Sequence, residues 1–315
     1  MTKITSSLFL AALFALCLHV ASAQAQYVRT CVSANGNDAN SCHCSTPCRT
    51  FQRAHDQTLT DGELTVLDAG GYGPVTITKS ISIVNDGVGE ASIQVSGGTV
   101  GITVNAPASG YVNLRGITIQ GVGFGASVGL RFNTGFTLTM TNCVVRNHTA
   151  DGIQLLPQSS SNLAVSNTLA GDNGGSGIRV RPSGSGITVK VVLSRIEAYN
   201  NSTDGIAMDS LSMTSGGVIR ATVADSVVAG NSRYGILQER GQDLTTGIAA
   251  IVTRSVIAGN SVGLQTIGPP IPILLGESTV TGNTNAWAGS IASYGNNNID
   301  YNRNDGPAPP TIAKK

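Results

Sequence analysis

Charge and aromatic surface are both scarce in this chain. Only 12% of its residues are charged and only 4% are Phe, Trp or Tyr, with one Trp in 315 residues. Lys and Arg number 19 against 18 acidic residues, so no field of one sign exists to gather nucleic acid or an anionic membrane. The Leu, Lys and Glu that helices favour are few, which excludes an α-rich fold. Disorder is excluded too, because 41% of the residues are apolar and charge is low. What the chain has in quantity is Gly, 39 of them, with Ser, Thr and Asn. Its length allows a sizeable core.

Residues 1–25 have the build of a secretory leader. Lys3 is the basic end, Leu8 to Val20 is the apolar stretch, and Ala21-Ser22-Ala23 and Ala23-Gln24-Ala25 are small-x-small cleavage sites. The apolar stretch is too short for a span of about 20 residues, and no second long one follows. Cys17 comes after the bulky Leu16, unlike a lipoprotein site. Losing Lys3 leaves 18 basic against 18 acidic residues. The expected location is secreted or periplasmic, with no membrane span in the mature chain.

Cys31, Cys42, Cys44 and Cys48 fall within 18 residues, which in an oxidising compartment predicts two disulfides. A Cys42–Cys44 bond would close a one-residue loop against the required geometry. That leaves Cys31–Cys44 with Cys42–Cys48, or Cys31–Cys42 with Cys44–Cys48. A zinc site with His43 lacks the paired C-x-x-C spacing. Cys143, in a strand-like segment, is expected to be a buried small hydrophobe.

Internal repeats decide the architecture. Gly followed by an aliphatic residue recurs at Gly129-Leu130, Gly152-Ile153, Gly177-Ile178, Gly205-Ile206, Gly235-Ile236 and Gly263-Leu264, with spacings of 23, 25, 28, 30 and 28. Upstream stands a column of Asn147, Asp172, Asn200, Asn231, Asn260 and Asn283, each after a short Val/Ile/Thr-rich run. A unit of about 27 residues cannot bury its own apolar face, so it must stack on its neighbours. Parallel strands about 4.8 Å apart would then let the Asn column form a hydrogen-bonded ladder. The Gly that follows is expected to supply a positive φ. A leucine-rich repeat lacks its Leu spacing here, and a propeller needs about 40 residues per repeat.

The fold expected is therefore all-β, a right-handed parallel β-helix of roughly nine coils and about 40 Å. Residues 26–63 form an N-terminal cap with the Cys cluster, 64–300 the β-helix and 301–315 a flexible tail. In the cap, Thr50 is the expected N-cap of a helix whose apolar face is Phe51, Ala54 and Leu59. Ala286-Trp287-Ala288 is expected to cover the last coil. The tail, with Gly306-Pro307-Ala308-Pro309-Pro310, should be extended and mobile.

The sequence resembles the bacterial exported right-handed parallel β-helix repeat proteins of the pectin-lyase-like superfamily. The resemblance covers essentially the mature chain. Its opening carries Val32-Ser33-Ala34-Asn35-Gly36-Asn37-Asp38 and Pro47-Cys48-Arg49-Thr50-Phe51, then Val66-Leu67-Asp68-Ala69-Gly70-Gly71-Tyr72 and Val75-Thr76-Ile77. Such a resemblance implies the fold but no single reaction. Polygalacturonase-like motifs are missing: Asn201-Ser202-Thr203-Asp204 is a near miss, with no Asp-Asp pair, Gly-His-Gly or Arg-Ile-Lys. The epimerase Asp-Pro-His-Asp motif is absent as well. His148 is expected at a turn surface rather than as a general base.

Strand alternation places Ile178 and Val180 inward, which sends Arg179 and Arg181 outward. The same register turns Arg131, Gln154, Asp209 and Glu239 outward, with Asp151 and Asp204 in one column. Arg179, Arg181, Asp204, Asp209 and Glu239 are the candidate site. Three functions are carried: contact with extracellular or cell-surface polysaccharide without a recognisable catalytic motif, a pectate-lyase-like polysaccharide lyase, and a structural or adhesion scaffold. No cofactor is expected, and calcium enters only under the lyase alternative. Tyr111, Tyr199 and Tyr234 are candidate sugar platforms.

Overall fold

A computed structural model describes residues 26–123, 125 and 127–313; the leader and its cleavage sites lie outside them. Short strands wind into coils that pair in parallel with the coils before and after, in sheets of nineteen, nine and two strands. The nine-strand sheet counts the coils, from Val75–Ile77 through Ile178–Val180 to Asn285–Ala288. One core column runs Val75, Ile102, Leu130, Ile153, Ile178, Ile206, Ile236 and Leu264 by successive strand register. Each is buried, worth about 1.5–3 kcal/mol apiece, and each needs the coil beside it to be covered.

The solenoid begins earlier than the sequence pattern predicts. Tyr27–Val32 pairs in parallel with Thr58–Val66, so a strand of the expected cap is the first rung. The helix Phe51–Gln57 has Thr50 as N-cap, its Oγ1 accepting from Arg53 N. Asp38 steadies the cap by accepting from the backbone N of Arg49 and Thr50. Phe51 and Ala54 are buried, but Leu59 lies in the following strand and is exposed. Disulfides join Cys31 to Cys44 and Cys42 to Cys48, the first of the two pairings the spacing left open.

The Asn column is offset by one residue in half of its coils. The ladder is Asn173, Asn201, Asn231, Asn260 and Asn283, all buried, ending on the half-buried Asn302. Asn147, Asp172 and Asn200 are not in it; they stand one position earlier, at φ of 60, 56 and 55°. Gly230, Gly259 and Gly282 hold that same left-handed position with φ of 65 or 66°, a conformation Asn, Asp and Gly adopt most readily. Within the ladder each side-chain oxygen accepts twice from the preceding rung. Asn231 Oδ1 takes Asn201 N at 3.1 Å and Nδ2 at 2.9 Å; Asn260 Oδ1 does the same for Asn231. Asp305 closes the stack by accepting from Asn302 N and Nδ2.

His148 heads the same stack and is buried, not at a turn surface. Its backbone N donates to Asn173 Oδ1, and its Nε2–H donates to Ile119 O. The repeat glycines have no positive φ, contrary to expectation. They are needed for space: a Cβ on Gly205 or Gly235 would stand 2.8 or 2.9 Å from the next coil's Asn231 or Asn260 amide nitrogen.

At another corner two columns run side by side. Inside, Ser226, Ser255 and Ser278 hydroxyls accept from the backbone N of Ile196, Ser226 and Ser255. Cys143 occupies this column too; its buried thiol donates to Thr141 O. Outside, Asn142, Asn167, Arg195, Asp225, Arg254 and Glu277 all have φ between 46 and 56°. The described residues of the C-terminal segment lie against the last coils. Ser293 bridges Thr311 and Asn285 bridges Asn304 in parallel, and Trp287 packs partly buried on the core.

Candidate functional site

On the outer face of the nine-strand sheet the strands Val128–Thr134, Ile153–Leu155 and Ile178–Val180 align Arg131, Gln154 and Arg179 in one row. Their alternating pattern buries the aliphatic neighbours and leaves these three turned out. Arg131 Nε donates to Gln154 Oε1 at 2.8 Å, and Gln154 Nε2 donates to Asp151 Oδ2 at 2.9 Å. Arg179 Nε reaches the same Asp151 oxygen at 2.9 Å, with Nη2 on Ser176 Oγ at 3.0 Å. Ser176 Oγ lies 3.4 Å from Asp204 Oδ2, and Arg233 clamps that carboxylate with Nε and Nη2 at 2.8 and 2.6 Å.

Beside this line Arg181 Nε donates to both oxygens of Asp209 at 2.8 Å. Arg179 Nη1 is 3.9 Å from Asp209, so the two pairs are joined. The network thus brings together Arg179, Arg181, Asp204 and Asp209. Glu239 is beside Asp209 in strand register but makes no side-chain hydrogen bond or ion pair among the described residues.

The carboxylates are not ordinary solvated groups: Asp204 and Asp209 are 0% and 1% exposed. Burial raises the Asp209 pKa against the opposing pull of Arg181 and Arg179. Burial also pulls Arg179 down, but Asp151, Asp209 and Asp204 outweigh it and leave the guanidinium above its usual value. The hydrogen bond to Asp204 likewise raises Arg233. These arginines keep their protons. Arg181 spends only Nε on Asp209; its two terminal nitrogens have no hydrogen-bond partner among the described residues, and its side chain is 39% exposed.

Arg233 and Ser176 were not among the sequence candidates. With the repeats aligned on Gly205 and Gly235, Arg233 falls opposite Thr203 in the next coil, one residue from Asp204, a signal the spacing does hold. Tyr111 pairs edge-on with Phe136, Tyr199 packs on Gly171, and the Arg233 guanidinium covers Tyr234 at 4.7 Å. Among the described residues no three His, Cys, Asp or Glu side chains converge as metal ligands. Burial lowers the His148 pKa to about 4 and raises the Cys143 thiol to about 11.

With this geometry in place, known proteins provide a frame. No curated protein sequence matches the chain. The structure is similar to a pectate lyase, Pel9A, at 16% identity and a TM-score of 0.66, covering 85% of this chain and 75% of that one. It also aligns with the A-module of the Azotobacter vinelandii mannuronan C-5 epimerase AlgE4 at 14% identity and a TM-score of 0.45, over 81% of this chain and 91% of the other. A family described as a right-handed β-helix region matches residues 100–285. Coils, register and that match agree: the chain belongs to the right-handed β-helix family, with a pectin-lyase-like fold.

Proposed function

We propose that this chain is an exported protein that contacts extracellular or cell-surface polysaccharide along the outer face of the nine-strand sheet and does not turn it over. The observation that carries the reading is the Arg131–Gln154–Asp151–Arg179–Asp209–Arg181 network. Buried carboxylates hold the guanidiniums in place while Arg181 keeps two terminal nitrogens for a ligand. Such donors, fixed before binding, meet hydroxyl or carboxylate oxygens without further ordering cost. Export is supported by the leader pattern and by the two disulfides, which suit an oxidising compartment. The fold is shared with Pel9A, a pectate lyase.

A lyase reading needs a base to take the proton, and guanidiniums raised by their carboxylate partners oppose that role. The test is a glycan array probed with the mature protein and with Arg181→Lys, which keeps a charge over Asp209 but loses the fork. Binding that weakens about tenfold in the variant supports the proposal. Silence across the array would leave the scaffold alternative. Unsaturated product absorbing in the ultraviolet from a uronate polysaccharide would establish the lyase.

A further inference from the structure

A second sheet face has a different chemistry. On the outside of the nineteen-strand sheet, Lys190, Arg220 and Ala249 are aligned in one row, and Val192, Thr222, Ile251 and Leu274 in the next. With Ile271 and Pro272 they line a groove of about 520 Å³, within the size range of about 300–1,000 Å³ for small-ligand sites. Val192 is 48% exposed and Ile251 37%. Four rungs about 4.8 Å apart give the groove a length of roughly 14 Å along the solenoid axis.

Its two ends differ. Lys190 and Arg220 stand on adjacent coils at one end, exposed, with no side-chain hydrogen bond or ion pair among the described residues. No acid lines the groove; Asp225, five residues after Arg220, is engaged by Arg254, and Glu197 lies past the corner at Arg195, in register with Val227. Ile251, Ile271, Pro272 and Leu274 form the other end. No aromatic or amide side chain lines it, so it lacks the platforms and paired donor–acceptor groups that sugars use. Aliphatic walls suit an acyl chain, and the uncompensated cations at one end suit a single anionic head.

We infer that the groove binds a free single-chain anionic amphiphile, a long-chain carboxylate, with its head over Lys190 and Arg220 and its chain over Ile251 and Leu274. This site is separate from the proposed polysaccharide face and does not depend on it. The test is calorimetric titration of the mature protein with sodium dodecanoate below its micellar concentration. Dodecyl maltoside (same chain, uncharged head) and acetate (head alone) are the companion probes. One dodecanoate per chain is expected, with acetate silent and dodecyl maltoside at least about tenfold weaker. Lys190→Gln with Arg220→Gln should weaken dodecanoate about tenfold, while Arg181→Lys should leave it unchanged. Circular dichroism of the variants, all at solvent-facing positions, checks the fold. Equal binding of dodecyl maltoside, no saturable heat, binding only to anionic phospholipid vesicles, or closure of the groove by self-association in sedimentation would each overturn the proposal.

Discussion

Two polar columns climb the same coils of this molecule. The inner ladder from Asn173 to Asn302 is one residue type, buried up to its last, half-buried rung, with two bonds per step. The outer corner from Asn142 to Glu277 shares one backbone conformation but mixes amides, arginines and acids. It bonds in short runs, Arg195 to Asn167 at 3.0 Å and Asn167 to Asn142 at 2.8 Å, then Arg254 to Asp225 at 2.7 Å. The left-handed residue is one position before each inner rung and is the outer residue itself at the other corner; what decides the difference is water. An inner rung without its amide leaves donors stranded, whereas an outer one is solvated at once.

The largest expected effect is therefore at the middle of the inner ladder. Asn231→Ala removes the acceptor for Asn201 N and Nδ2 and the donor to Ala198 O, and should cost about 3–5 kcal/mol in urea unfolding. A loss under 1 kcal/mol would show that the ladder is incidental. His148, the one imidazole in this stack, should make it acid-sensitive. Its folded pKa of about 4 is below the ordinary imidazole value of 6.5, so the unfolded chain takes up a proton the folded one refuses. Stability is then full above about pH 6.5 and falls by about 3 kcal/mol on the way to pH 4. His148→Asn should flatten that part of the pH profile; an unchanged slope would place the sensitivity elsewhere.

Gly205→Ala comes next. The added methyl meets Val228 and the Asn231 amide and should cost about 1–3 kcal/mol in thermal melts. On the outer column Arg254→Gln should leave the melting temperature within experimental scatter, since exposed ion pairs contribute little. A clear drop there would erase the contrast between the columns.

The same contrast explains what the sequence discloses. Gly-Ile pairs and Asn recur because packing and desolvation admit few substitutes, so coils and fold were legible. The ladder is offset by one residue in three coils, because Asp172-Asn173 and Asn200-Asn201 hide which member points inward and His148 takes the inward place after Asn147. Only the Gly-Asn pairs at Gly230-Asn231, Gly259-Asn260 and Gly282-Asn283 separate the two demands. Arg179, Arg181, Asp204 and Asp209 could be set on one face by strand alternation alone. Arg233 escaped because it belongs to a turn, where alternation gives no direction. The docked tail was hidden by its Pro-rich composition, which resembles a free end although Pro310 O accepts from Ser293 N.

That tail determines how the molecule stops. Every amide oxygen in the stack serves the rung before it, so the column has a direction, and Asp305 ends it with an anion rather than another carboxamide. Pro307, Pro309 and Pro310 beyond it offer no N–H to an incoming strand. At this end of the described residues, a stack whose interior repeats could be extended rung by rung thus closes on a carboxylate and on imino acids instead of another amide.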